Sequence, residues 1–175
     1  MNRMENSDDV MAQIGRGQEL ATAGDAEGAR HLFAEVWGAL EASPEGTRDP
    51  LHIVTLAHYM ADVQIDPAEE LRWDLRALEA ADTLTDDRAQ RHDASLQVAA
   101  FYPSLHLNVA AAHLALGHVP EARFHLDRAD EESHHLAEDG YGRTVRGAIA
   151  RLRRRIDETA PVIPPGKSER RAEHR

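Results

Sequence analysis

The chain has no cysteine and only one lysine, Lys167. Without cysteine there is no disulfide, no thiol nucleophile and no thiolate-held zinc or iron–sulfur centre, which fits a reducing compartment. No apolar run approaches the roughly 20 residues that a membrane-spanning helix needs. The opening "MNRMENSDDVMAQIGRG" lacks the apolar stretch of a secretory signal. The expectation is a cytoplasmic chain with no membrane partner. Alternating β-branched runs bounded by turns are missing, so nothing predicts a sheet. There is no Gly-rich phosphate loop, no G-x-S-x-G and no H-E-x-x-H. Together these absences predict no enzyme, no catalytic residue, no cofactor and no metal.

Charge is abundant but uneven. Residues 1–140 hold 27 acidic and 10 basic side chains, while residues 141–175 hold 4 acidic and 10 basic ones. An acidic body repels a phosphate backbone, so no nucleic-acid partner is expected at the main surface. The basic C-terminus fits an acidic partner, or its own acidic body. At 175 residues the chain fits one domain with a real core.

Alanine, leucine, arginine and glutamate are plentiful, and all are strong helix formers. A first helix is expected over 8–23, stopped near Gly24. A second, capped by Asp25, runs to about Ala42 with Ala29, Leu32, Phe33, Val36 and Leu40 on one stripe. A third starts at Pro50 or Leu51. Asp66 followed by Pro67 starts a fourth, expected to turn Leu71, Leu75, Leu78 and Ala81 inward. Residues 84–102 are the least legible. Pro103 interrupts the helical ladder there and predicts either a kinked long helix or two helices meeting near Tyr102. Further helices end at Gly117 and run from Pro120 to about Asp139. "GYG" then breaks the chain before a last helix over 143–157. The expectation is an all-α fold of seven to eight helices forming one domain over 1–157, with a disordered tail over 158–175.

The turn residues Gly24, Asp66 and Gly117 suggest an internal repeat. After them come Ala29, Leu71 and Ala122, then Phe33, Leu75 and Leu126, then Val36, Leu78 and Ala129. Gly17 and Ala110 stand at matching places before the turn, where a small residue lets two helices approach. Tyr59 falls at that place in the middle unit. This pattern resembles the tetratricopeptide-repeat (TPR) family over roughly residues 11–139. The turn-to-turn spacings of 42 and 51 exceed the usual period of about 34, which implies either longer loops or an extra helix inserted near 85–102. The pieces "TLAHYMADVQ", "WDLRALEAAD" and "FYPSLHLN" resemble small actinobacterial TPR-like proteins. The resemblance implies a solenoid of antiparallel helix pairs closed by a C-terminal capping helix. It also implies a concave groove lined by the first helix of each pair, here Ile14, Gln18, Ile53, Leu56, Met60, Leu107, Ala111 and Leu114.

Several residues stand out as candidate binding positions. Eleven histidines are present, but no two lie three or four apart, so one helix cannot chelate a metal with two of them. His106 and His113 share a face about 10.5 Å apart along the axis, too far for one ion. His58 and Asp62, four apart, form half of a general-base arrangement, or simply a polar pair on a helix. Trp73 and Asp74, beside Arg76, lie off the leucine stripe and could flank a groove or join two repeats. Tyr102, Ser104, His106 and Asn108 bring polar groups to the region of Pro103, for a ligand or for freed backbone carbonyls. Asn108 also matches one asparagine of the peptide-carboxylate clamp found in TPR co-chaperones, but the cationic partners of that clamp do not follow. Six arginines between Arg143 and Arg155 fit an acidic partner or RNA, or the solvated face of a cap.

These residues predict a protein- or peptide-binding adaptor whose apolar groove takes an amphipathic helix. A homodimer burying the same surface, or a more compact fold that hides it, would account for the same residues. The rival reading is a small-molecule sensor or enzyme. It requires His58, Asp62, Asp74, Tyr102 and His106 to converge in one pocket near Trp73.

Overall fold

The computed structural model describes residues 3–44, 47–93 and 97–159. Among these residues every regular element is helical: α1 (Arg3–Thr22), α2 (Ala26–Ala42), α3 (Pro50–Asp62), α4 (Pro67–Ala81), α5 (Asp86–His92), α6 (Tyr102–Ala115), α7 (Val119–Glu132) and α8 (Gly140–Thr159). Single 3₁₀ turns at Val98–Ala100 and Ser133–His135 precede α6 and follow α7. None of the described helices is long and apolar enough to cross a membrane.

Side-chain caps start many of these helices where the sequence places them. Asp25 accepts from the Gly28 amide at 2.9 Å, Asp49 from Leu51 at 3.1 Å and Asp66 from Ala68 at 3.0 Å. Each bond satisfies one of the amides that a helix start leaves without a partner. Gly24 and Gly117 take φ of +90° and +76°, a conformation that costs any L side chain, and so close the α1–α2 and α6–α7 turns.

Several boundaries differ from expectation. Of the two arrangements expected near Tyr102, separate helices are found. Pro103 sits in the first turn of α6, where its missing amide costs nothing. The extra helix expected over 85–102 is α5, capped by Thr85. Helix α7 stops at Glu132 rather than near Asp139. "GYG" opens α8 instead of breaking the chain, because the Asp139 carboxylate accepts from the Gly142 amide at 2.8 Å. A Cβ at Gly142 would collide with the Ala137 carbonyl oxygen, so this entry needs glycine. Helix α8 runs to Thr159, two residues past the expected domain limit at 157. The remainder of the expected tail, 160–175, lies outside the described residues.

Consecutive helices pack in pairs: α1 with α2, α3 with α4, and α6 with α7. Helix α4 also lies along α6, and α8 lies against α7 and α6. The core follows this arrangement in three clusters. Ile14, Phe33, Val36, Leu56 and Met60 fill α1–α3, and Leu51, Ala57, Ala77, Ala81 and Leu105 fill α3, α4 and α6. Ala110, Leu126, Val145, Ile149 and Ile156 fill α6–α8. The arginines of α8 are partly spent on the molecule's own acidic side. Arg153 reaches Asp127 at 2.7 Å and Asp130 at 3.2 Å, and Arg146 donates to the Ser133, Leu136 and Ala137 carbonyls.

The phase of α4 differs from the sequence expectation by one residue. Its buried positions are Asp74, Ala77, Ala80 and Ala81, and Leu75 is 41 % exposed. The reason is the cap. Asp66 is the N-cap of α4, as Asp25 and His118 are of α2 and α7, and Gly24 and Gly117 each stand one residue earlier. Aligned on caps, the second helices correspond, and eight residues after the cap stand Phe33, Asp74 and Leu126. Three residues separate α3 from its cap where two separate α1 and α6 from theirs, so the first helices correspond when counted from their ends, where Gly17, Ala57 and Ala110 each stand five residues before the last.

Candidate functional site

That alignment locates the candidate site. In the outer pairs the seam between helices is filled by a small residue against a large apolar one. A Cβ on Gly17 would overlap the Phe33 ring, so the ring sits directly on the α1 backbone. Ala110 and Leu126 are both fully buried in the equivalent seam of α6 and α7. The middle pair carries Ala57 and Asp74 at the same two places. The small residue is kept and a carboxylate replaces the ring.

Asp74 is 1 % exposed, and neither of its carboxylate oxygens has a hydrogen-bond partner of acceptable geometry among the described residues. Burial, reinforced by the negative charges of Glu70 and Asp62, pushes its pKa up to about 8. The nearby Asn108 amide offsets this only in part. At neutral pH Asp74 is therefore mostly a neutral carboxylic acid. Glu70, four residues before it, is also raised, first by burial and then by Asp62.

Asp62, at the end of α3, is solvent-exposed, yet the surrounding protein is the first cause of its raised pKa. The His58 imidazole draws the Asp62 pKa partway back down. No hydrogen bond joins His58 to Asp62. Instead the Asn108 amide meets His58 Nδ1 at 3.3 Å, the amide donating when the imidazole proton is on Nε2. Tyr59 borders the group, its ring 5.4 Å from that of His58. Its pKa is raised by burial, then by Asp62 and by Tyr141 at the start of α8.

Of the residues singled out in the sequence, the fold brings together His58, Asp62, Asp74 and Asn108. It separates Tyr102 and His106 from them. The Tyr102 hydroxyl donates to Asp82 at 2.8 Å, and burial with that bond pushes its pKa up to about 12. His106 turns the other way, to α7. Two positions on a helix differ by about 200° in direction, so His106 and Asn108 face opposite sides of α6. The single pocket joining His58, Asp62, Asp74, Tyr102 and His106 is not formed.

Leu56 and Met60 are 0 % and 3 % exposed and belong to the core, which corrects their placement on a groove surface. Three helices converge on α3, and that convergence covers them. Leu107 keeps partial exposure while packing on the α6–α8 cluster. Trp73 joins two helix pairs. It meets Trp37 of α2 edge-on at 4.9 Å, and the Arg76 guanidinium lies over both rings.

No family model, curated protein or solved structure matches the chain. The chemistry of the α3–α4–α6 seam follows from its own groups. It holds three carboxylates, one amide, one imidazole and one phenol, with no arginine in ion-pair contact with any of the three acids among the described residues. Glu70 escaped the sequence reading because the turn-based alignment left it off the inward face. Counting from the Asp66 cap would have placed it opposite Ala29 and Ala122. Tyr59 was weighed only as a misfit at a small position.

A second polar group lies between α6 and α7. His106 and His125 approach to 3.0 Å between their Nδ1 atoms, His125 stacks on His113 at 5.6 Å, and His113 meets His118 at 3.3 Å. Burial lowers His106 and His113, and with both neighbouring imidazoles it lowers His125 to about 4. Two hydrogen-bonded imidazole pairs result, His106 with His125 and His113 with His118, joined by the His125–His113 stack. Among the described residues no three His, Asp or Glu side chains are placed to hold a metal ion.

Proposed function

We propose that the chain is a protein- or peptide-binding adaptor built as a TPR-like solenoid. In this reading α1, α3 and α6 are the first helices of successive pairs, and α8 closes the array as the capping helix. The observation that carries the reading is the repeated seam: counted from the cap, Gly17 with Phe33 and Ala110 with Leu126 occupy the same places in two pairs. Helix α5 and the turn after it account for the long spacing between the second and third pairs.

The partner-binding face is formed by the side chains that the first helices leave partly exposed. These are Thr55, His58 and Tyr59 on α3 and Leu107, Asn108 and Ala111 on α6. With Leu56 and Met60 in the core, this face is more polar than the groove the sequence suggests. An extended or helical peptide carrying polar as well as apolar side chains fits it better than a purely apolar one.

The test is a pull-down from the source cells with mass-spectrometric identification. Wild type is compared with a Tyr59→Ala/Ala111→Glu variant whose helicity and melting temperature are first shown to be preserved. A partner captured by the wild type and lost in the variant is expected. No captured partner, or capture that the variant leaves unchanged, overturns the reading.

A further inference from the structure

We propose that the seam of Asp62, Glu70 and Asp74 is a recognition site for a guanidinium group, the side chain of an arginine on the partner peptide. The inference rests on the adaptor reading and deepens it.

Elsewhere several carboxylates meet the molecule's own arginines: Asp49 with Arg88, Asp127 and Asp130 with Arg153, Asp157 with Arg123, Glu138 with Arg146. At this seam three acids are within electrostatic reach of one another, and none is ion-paired with an arginine among the described residues. Clustered acids on a surface say little by themselves. Here the innermost, Asp74, is 99 % buried with both oxygens unpartnered, at a position where the other helix pairs bury a phenyl ring and a leucine. An apolar side chain there would be cheaper, so the carboxylate is a cost without an internal return. A cation at the mouth of the seam supplies the missing counter-charge.

The surroundings select a guanidinium among cations. Asp62 is exposed and Glu70 is partly buried. Two carboxylates at different depths match a planar fork of five donors better than the compact ammonium of lysine. The Tyr59 and His58 rings beside Asp62 offer flat faces for the guanidinium plane. The groups facing the seam are His58, Tyr59 and Asp62 from α3, Glu70 from α4, Asn108 from α6 and Tyr141 from α8, and none of them is a permanent cation. An arriving cation favours ionised Asp74, so binding releases a proton to solvent and tightens as pH rises from 6 to 8.5.

The test uses the full chain and two acetylated, amidated pentapeptides, Ala-Ala-Arg-Ala-Ala and its citrulline counterpart, which keeps the shape and removes the charge. Binding is followed by ¹³C NMR of the side-chain carboxyls. At pH 7 the arginine peptide is expected to bind at least tenfold more tightly than the citrulline peptide. The Asp74 carboxyl resonance should move toward its ionised position. Asp62→Asn and Glu70→Gln should each weaken binding several-fold, and Asp74→Asn should abolish its pH dependence. Equal binding of the two peptides, or an Asp74 resonance that does not move, overturns the site. A response to calcium chloride with none to the arginine peptide overturns it in favour of a metal ion. If a partner found by pull-down binds Asp62→Asn/Glu70→Gln as it binds wild type, the guanidinium site fails and the adaptor reading stands. If no partner is captured, the adaptor reading fails by itself.

Discussion

The α1–α2 pair and the α3–α4 pair share one geometry and fill it with opposite chemistry. In the first, Gly17 admits the fully buried Phe33 ring. In the second, Ala57 and the equally buried Asp74 occupy the same places. The outer seam is a packing solution, with a ring in close contact with backbone and nothing left to satisfy. The middle seam carries an acid that burial keeps protonated and that no cation pairs among the described residues. Proteins depart from the apolar solution at a cost, and such departures gather where a site is built. The comparison therefore separates the part of the array that holds the fold from the part that is left for recognition.

The largest expected effect breaks the apolar side of the comparison. Phe33→Ala removes a ring from a seam that cannot collapse, and should cost about 3–5 kcal/mol. Urea unfolding would read this as a lower midpoint at unchanged slope. A cost under about 1 kcal/mol would mean that the seam is loosely packed.

The next sharpens the polar side. Asp74→Leu recreates the Ala110–Leu126 seam in the middle pair, where Ala57 is already the small residue. It should stabilise the protein by about 1–4 kcal/mol at pH 8.5, because a buried unpaired carboxyl is exchanged for a fitting apolar side chain. A loss of stability instead would mean that Asp74 is paired in solution.

The third prediction reads the same group through pH. The Asp74 pKa lies near 3.8 in the unfolded chain and about 8 in the fold. Between those values the native state holds a proton that the unfolded state has released, so stability falls as pH rises and levels off above 8. From pH 6.5 to 8 this amounts to about 2 kcal/mol, and Asp74→Asn should remove that part of the profile. Thermal unfolding of both proteins across this range would decide it.

The smallest effect belongs to the histidine chain, which slopes the other way. His125 has an ordinary value of 6.5, lowered to about 4 in the fold. Between these the unfolded chain binds a proton that the native state refuses, so stability falls as pH drops. Partial exposure reduces this to about 1 kcal/mol. His125→Gln should flatten the acid limb between pH 6.5 and 4 and leave the region above pH 6.5 unchanged.

The legibility of the site divides along physical lines. His58, Asp62, Asp74 and Asn108 stood out as residue types, and all four belong to the seam. Their company was misjudged in two ways. Tyr102 and His106 share a stretch of sequence with Asn108, yet helix geometry turns His106 toward α7. Glu70 stays off the inward face in a repeat phase set by the glycine turns, and only the capping residues bring it inward. One residue of phase rotates a helix by about 100°, enough to bring Leu75 to the surface and Asp74 to the core.

The histidines show the same limit from the other side. Their spacings rule out a shared ligand on one helix, and that inference holds for any fold. That His106, His125, His113 and His118 form a continuous chain depends on how α6 and α7 lie together.

The amino-acid order by itself determined the helices, their caps and turns, and the absence of thiol chemistry, since these depend on neighbours a few residues away. The cost of burying a particular side chain depends on what surrounds it in space. Tertiary structure alone decided that Leu56 and Met60 are core, that Trp73 bridges two helix pairs, and that three acids from α3 and α4 share one unpaired seam.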